Sequence, residues 1–96
     1  MTLAMTEPAP LDTRRRRLLY RATHRGTYEN DLLIGGYVSR HVGTMTEDQM
    51  AALEAVMELP DADLADWLTG RRPIPAETDS VTLQAIRAFA LAREDR

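Results

Sequence analysis

No segment of this chain alternates apolar and polar side chains as a β-strand with one buried face does. Apolar residues instead recur at spacings of three and four, and helix start and stop signals separate the periodic segments. We therefore predict an all-α fold, a small five-helix bundle. The predicted helices cover residues 13–23, 28–42, 46–59, 60–69 and 79–92.

Local signals support several of these boundaries. Thr46 followed three residues later by Gln49 is the pattern of a capping box at a helix start. Pro73-Ile74-Pro75 cannot be regular helix and predicts an extended connector. Apolar periodicity then predicts which side chains form most of the core. These are Leu33, Tyr37, Leu53, Val56, Met57, Leu64, Trp67, Leu68, Leu83, Ile86 and Phe89.

Two adjacent glycines, Gly35 and Gly36, lie inside the second predicted helix. Each costs about 1 kcal/mol relative to alanine in a helix interior. The flanking residues are apolar and no phosphate-loop spacing follows, so the pair indicates close approach of a neighbouring helix, or a bend, rather than a ligand site.

Length and composition restrict the class of protein. A chain of 96 residues can close only one core, and the absence of cysteine excludes disulfides, thiolate metal sites and thiol nucleophiles. The apolar runs are far shorter than the roughly 18 residues of a membrane span, and the first residues lack the apolar stretch of a secretory signal. We expect a flexible tail over residues 1–11, one domain over 12–96, a cytoplasmic location and no membrane partner.

Charge is unevenly distributed. Residues 1–43 hold seven arginines against four acids, a net charge of +3, and residues 44–96 have a net charge of −6. The run Arg14 to Arg17 is the one feature that could bind nucleic acid. The isoelectric point near 5.3 and the lack of interleaved aromatic residues favour a solvated helical face or an acidic protein partner. An Arg-rich nucleic-acid-binding or regulatory module remains the alternative.

Groups suited to catalysis are few. His24 and His41 are 17 residues apart and have no carboxylate at helical ligand spacing, so a zinc site is not expected. Asp61, Asp63 and Asp66 occupy positions where acids normally begin a helix. The sequence thus predicts no catalytic residue and no metal site.

The segment from Arg25 to Asp31 lies at the junction of two predicted helices, where side chains project and a partner's backbone can approach. It places a guanidinium, a glycine, an aromatic ring and the Glu29 carboxylate within about one turn. Taken alone, this R-G-x-x-E pattern indicates no more than a helix end followed by an acidic helix start.

The pattern is one of five sequence blocks that, in this order and spacing, resemble the succinate dehydrogenase assembly factor 2 family, whose bacterial members are called SdhE. The resemblance covers roughly residues 13–92. The blocks are Arg17-Leu18-Leu19-Tyr20, Arg25-Gly26-x-x-Glu29-Asn30, Met45-Thr46-Glu47-Asp48-Gln49, Leu64-x-x-Trp67 and Pro73-Ile74-Pro75.

This resemblance implies a small five-helix bundle that binds the flavoprotein subunit of succinate dehydrogenase, and in some members that of fumarate reductase. It implies that the protein promotes covalent attachment of FAD to a histidine of that subunit without binding FAD stably. The implied partner-binding residues are Arg25, Gly26 and Glu29, with Arg17 on the preceding helix. We further expect a monomer that does not bind nucleic acid.

Overall fold

A computed structural model describes residues 10–94 of the chain, and within that range it contains five α-helices and no strand. The all-α prediction is confirmed. A single 3-10 turn, Val42–Thr44, follows the second helix. The helices are α1 (Thr13–Thr23), α2 (Tyr28–His41), α3 (Glu47–Met57), α4 (Asp61–Leu68) and α5 (Val81–Glu94).

Side-chain caps set the starts of several helices. The Asp12 carboxylate accepts the backbone N–H of Arg15 at 2.8 Å and begins α1. The capping box of α3 is present, because Gln49 N–H donates to Thr46 Oγ1 at 3.1 Å and Thr46 N–H donates to Gln49 Oε1 at 2.9 Å. Helix α5 starts two residues later than predicted, because Ser80 Oγ accepts the N–H of Leu83 at 3.0 Å.

Helix α2 lies at the centre of the bundle and contacts α1, α4 and α5. Of the predicted core, Tyr37 and Phe89 are only half-buried, so their assignment to the interior is wrong. Their rings meet edge to face, with centroids 6.0 Å apart, at the margin of the core. The other predicted core residues are buried, and so are Leu18, Ala22, Ile34, Val38, Val42, Met45, Met50 and Ala90.

The two helical glycines allow close packing on both sides of α2. A Cβ at Gly35 would lie 2.8 Å from Thr23 Cγ2 and 3.2 Å from the carbonyl oxygen of Ala22, both on α1. A Cβ at Gly36 would lie 3.1 Å from the ring of Phe89 on α5. Since α2 runs unbroken through both positions, the expectation of close helix approach is confirmed.

Of the predicted tail, residues 1–9 lie outside the described part of the chain, while Leu11 packs against the core. Within residues 10–94, no helix combines the length and the apolar character that crossing a membrane requires.

Candidate functional site

The R-G-x-x-E residues lie in and just after the loop between α1 and α2. His24 follows the last residue of α1, and Thr27 precedes the first residue of α2. Between them, Gly26 has a φ of +99°, a conformation that residues with a Cβ rarely adopt. A Cβ at this glycine would have no heavy atom within 4 Å. Glycine is thus required for the backbone conformation, and the space in front of it is open.

Arg25 does not project from this loop. Its side chain is 9% exposed, and its Nε donates to Asp61 Oδ1 at 2.6 Å. Its Nη1 donates to the carbonyl of Met57 at 2.8 Å, and its Nη2 to that of Leu59 at 3.1 Å. The expectation of a projecting guanidinium is therefore wrong, because the end of α3 and the start of α4 together supply enough oxygen acceptors to bind it inward.

Asn30 and Asp31, in the first turn of α2, also help to attach the α1–α2 loop to the rest of the bundle. The fully buried Asn30 amide donates from Nδ2 to both the backbone oxygen and Oδ1 of Asp61, each at 3.0 Å. The backbone N–H of Arg25 donates to Asp31 Oδ1 at 2.6 Å. We call the group formed by Arg25, Asn30 and Asp61 the loop clamp, since it fixes the α1–α2 loop to the α3–α4 corner.

The electrostatics of the clamp favour the charged form of Asp61. Burial of this carboxyl is the largest single influence and by itself raises the pKa. The hydrogen bonds from Arg25 and Asn30, together with the charge of Arg25, outweigh that effect and hold the pKa below its ordinary value. The ion pair is therefore formed at neutral pH.

Glu29 faces outward at the start of α2 and approaches Arg71, which follows α4, at 3.6 Å. Arg71 also bonds Asp66 at 3.2 Å, and Arg72 bonds both Asp66 and Asp63 at 2.8 Å. Hydrogen bonds from Arg72 and then Arg71 lower the pKa of the Asp66 carboxyl. Sequence reasoning missed Arg71 as a neighbour of Glu29, although its position just after an aspartate-rich helix was a usable signal.

Two apolar residues next to Glu29 are exposed. Tyr28 is 80% exposed and Leu32 is 39% exposed. With Glu29, Leu33 and Arg93 they line a shallow groove of about 340 Å³. Sequence reasoning did not assign Leu32 or Arg93 to a site; the only signal was the four-residue spacing of Tyr28 and Leu32, which puts them on one face of α2.

The arginine run on α1 is largely bound to its own chain. Arg14 pairs with Glu47 at 2.6 Å and Glu54 at 2.9 Å, and Arg21 pairs with Glu58 at 2.7 Å. These glutamates lie on or at the end of α3. Arg14 of the run and Arg21 thus hold α1 against α3, and Arg15 pairs with Asp12 at the start of α1. Arg16 and Arg17 are exposed, as on a solvated helical face.

Arg17 is exposed, and the described residues offer it no hydrogen bond or ion pair. The hydrogen bond from Arg14 is the main cause of the lowered pKa of Glu54 on α3, and the charges of Arg21 and then Arg17 add smaller effects. Within the described part of the chain, no hydrogen bond or ion pair joins Arg17 to the α1–α2 loop. Of the four predicted partner-binding residues, the structure brings Arg25, Gly26 and Glu29 together and leaves Arg17 apart.

The two histidines take part in aromatic contacts. His24 stacks on Tyr20 with ring centroids 4.0 Å apart, and His41 lies against Tyr37 at 4.4 Å. In the part of the chain that the structure describes, no three His, Asp or Glu side chains are grouped as they would be to hold a metal ion.

Comparison with known proteins places these residues in a family. Residues 16–90 match the model of the family described as flavinator of succinate dehydrogenase. The FAD assembly factor SdhE of Acetobacter pasteurianus is 52% identical over 67 residues, which cover 70% of this chain and 62% of the relative. Succinate dehydrogenase assembly factor 2-A, mitochondrial, of Drosophila ananassae is 35% identical over 80 residues, covering 81% of this chain and 51% of that protein.

A more distant relative is succinate dehydrogenase assembly factor 2, mitochondrial, of Dictyostelium discoideum, which is 28% identical over 81 residues, 84% of this chain and 57% of the relative. The chain spans between about half and three fifths of the length of these relatives. The family match includes Arg17 and the whole R-G-x-x-E segment. Because that match covers well over half of the chain, the protein belongs to the family of succinate dehydrogenase flavinators.

Proposed function

We propose that this protein is an assembly factor that binds the flavoprotein subunit of succinate dehydrogenase and promotes the covalent attachment of FAD to it. The names of the family and of its relatives support the activity. The observation that carries the proposal is the exposed Gly26 backbone, with Tyr28 and Glu29 beside it, on a loop that the loop clamp holds rigidly. A rigid, exposed loop suits protein recognition because little conformational entropy is lost on binding.

The four predicted partner-binding residues have different roles in this proposal. Gly26 lets the client's backbone approach closely, and Glu29 offers a carboxylate to it. Arg25 supports both residues from beneath the surface. Arg17 makes a separate contact from α1.

The proposed action is not enzymatic. The flavoprotein's own groups carry out the bond formation, and the factor favours the client conformation in which they are correctly arranged. A binding protein shifts such an equilibrium only through its different affinities for the two conformations. The recognition surface therefore has to be specific for the competent form of the client.

We also propose that the factor keeps no FAD of its own, acts as a monomer in the cytoplasm and serves fumarate reductase as a second client. It leaves the flavoprotein after attachment. A surface formed by one short loop and one helix face supports such transient binding, because small interfaces are typical of short-lived complexes.

The test is coexpression of the flavoprotein subunit with this chain in cells that lack their own assembly factor. Covalent flavin is read as fluorescence of the denatured subunit in a gel. We expect strong fluorescence with the parent chain and little with Glu29→Ala, which removes one exposed helix-start charge worth at most about 1 kcal/mol of stability. The proposed function would be overturned if the parent chain gave no more flavin fluorescence than cells that express the flavoprotein subunit alone.

A further inference from the structure

A groove runs along the bundle between α2 and α5. On α2, Tyr28, Leu32 and Arg40 belong to one row of residues four apart, which is inclined to the helix axis and turns by about 40° at each step. Tyr28 and Arg40 are about 18 Å apart along the helix axis. Phe89 and Arg93 of α5 form the opposite side.

Two adjoining hollows make up this groove. The one beside Glu29, described above, includes Leu32 and Arg93. The other has a volume of about 430 Å³ and is lined by Arg40, Phe89, Ala92 and Arg93. Arg93 lines both, so the groove is continuous with the exposed surface next to the α1–α2 loop.

The groove carries positive charge on a protein whose net charge is −3. Arg40 and Arg93 are both exposed, and neither forms an ion pair with an acid of residues 10–93, the part of the chain whose side chains the structure describes. The Arg40 guanidinium instead lies over the ring of Phe89, 5.5 Å from its centroid. Arg40 and Arg93 thus differ from five other arginines, each of which forms an ion pair with an acid of the chain. These are Arg14, Arg21, Arg25, Arg71 and Arg72.

We infer that this groove binds a segment of the client that carries acidic side chains next to an apolar one. The inference rests on the proposed function, because the client is the flavoprotein subunit. The carboxylates pair with the guanidinium groups of Arg40 and Arg93, which are suited to two parallel hydrogen bonds. The apolar side chain covers Leu32 and the ring of Tyr28. The α1–α2 loop and the groove then form one continuous interface.

Charge reversal tests the inference. The affinity of the purified flavoprotein subunit is measured for the parent, for Arg40→Glu and for Arg93→Glu. We expect each reversal to raise Kd by about tenfold or more, and the parent's affinity to fall more steeply with salt than that of either variant. Arg16→Glu makes the same change of charge on exposed α1 and serves as the control, with Kd within about twofold of the parent.

A second variant tests the apolar contact. Leu32→Gln replaces the apolar end of a half-exposed side chain by an amide at similar helix propensity, and we expect Kd to rise by about three- to tenfold. Thermal melting of each variant verifies that the bundle is folded.

Several outcomes would overturn the groove inference while leaving the proposed function intact. If the parent supports covalent flavin and binds the subunit, but Arg40→Glu and Arg93→Glu bind equally well, the groove is not part of the interface. Binding of a duplex DNA probe that weakens in the same two variants, with client binding unchanged, would assign the groove to nucleic acid. Failure of the parent to raise covalent flavin would instead count against the proposed function.

Discussion

The guanidinium of Arg25 lies 2.6 Å from the carboxylate of Asp61, a residue 36 positions further along the chain. Within residues 10–94 this ion pair is the most deeply buried, with side-chain exposures of 9% and 31%. Its partners join the loop between α1 and α2 to the start of α4. Arg25 therefore has a structural role whether or not it also contacts a partner protein.

Breaking this pair should destabilise the fold markedly. We expect Asp61→Ala to lower the free energy of unfolding by about 3 kcal/mol, since it leaves a nearly buried guanidinium without its counter-charge. Denaturant titration measures the loss. The matched control is Arg71→Ala, which removes exposed ion pairs and should cost less than about 1 kcal/mol. Similar losses in the two variants would contradict a structural role for the clamp.

The free energy of unfolding should depend on pH in the acidic range through the carboxylate of Asp61. The pKa of Asp61 is lower in the folded state than its ordinary value of 3.8. The ionised carboxylate therefore contributes its full stabilisation above pH 3.8, and this stabilisation is lost as the pH falls through the folded-state pKa. We expect the free energy of unfolding to fall below about pH 4, and Asp61→Asn to flatten that decline. Asp48→Asn makes the same carboxylate-to-amide change at the exposed start of α3 and is measured alongside as the control. An unchanged slope in Asp61→Asn would show that other groups cause the decline.

The two helical glycines should respond differently to alanine. At Gly35 the new methyl group would meet backbone atoms of Ala22 and Thr23 as well as a side chain, so we expect a loss of about 1–3 kcal/mol despite the better helix propensity. At Gly36 it would meet side chains alone, the half-buried ring of Phe89 at 3.1 Å and the end of Arg93 at 3.8 Å, and both can move. Gly36→Ala should therefore be close to neutral. Equal melting temperatures for the two variants would show that α1 can move away from α2.

Trp67 provides a test of the core. Its side chain is 5% exposed, and truncation to alanine should cost about 3–5 kcal/mol. Val81→Ala, at a residue that is 88% exposed, should change stability by no more than about 0.5 kcal/mol. Thermal and denaturant unfolding compare the two, and a Trp67→Ala variant that melts within a few degrees of the parent would show that α4 packs differently.

Substitution of two glycines distinguishes the effect of backbone strain from the effect of a blocked recognition surface at the α1–α2 loop. Gly26 and Gly70 have φ values of +99° and +80°, so an arginine at either position should cost about 1–2 kcal/mol through backbone strain. Only Gly26→Arg fills the open space in front of the α1–α2 loop. We expect covalent flavin on the client to be largely lost with Gly26→Arg and mostly retained with Gly70→Arg. Equal losses would indicate that flavin attachment follows stability alone.

The helices could be predicted because their signals are local. The capping pair of Thr46 and Gln49 lies within four residues, and the close approach at Gly35 is indicated by the cost of glycine in a helix. Apolar spacing identified the buried faces, but it could not separate the margin of the core from its centre. Tyr37 and Phe89 have the spacing of interior residues, yet they lie at the margin.

The inward position of Arg25 could not be predicted in this way. Its acceptors, the carbonyls of Met57 and Leu59 and the carboxylate of Asp61, come from a distant part of the chain. The same holds for Arg14 and Arg21, whose partners lie on or at the end of α3. A pattern of charges along the sequence shows which groups are available for pairing, whereas the packing of helices decides which of them meet.

The loop clamp also determines when the α1–α2 loop can become fixed during synthesis of the chain. A ribosome adds Arg25, Gly26 and Glu29 to the nascent chain well before Asp61. Until that aspartate has emerged, Arg25 lacks the carboxylate that draws it inward, and the loop lacks its attachment to the α3–α4 corner. The α1–α2 loop can therefore take its fixed arrangement only after the chain has been synthesised through Asp61.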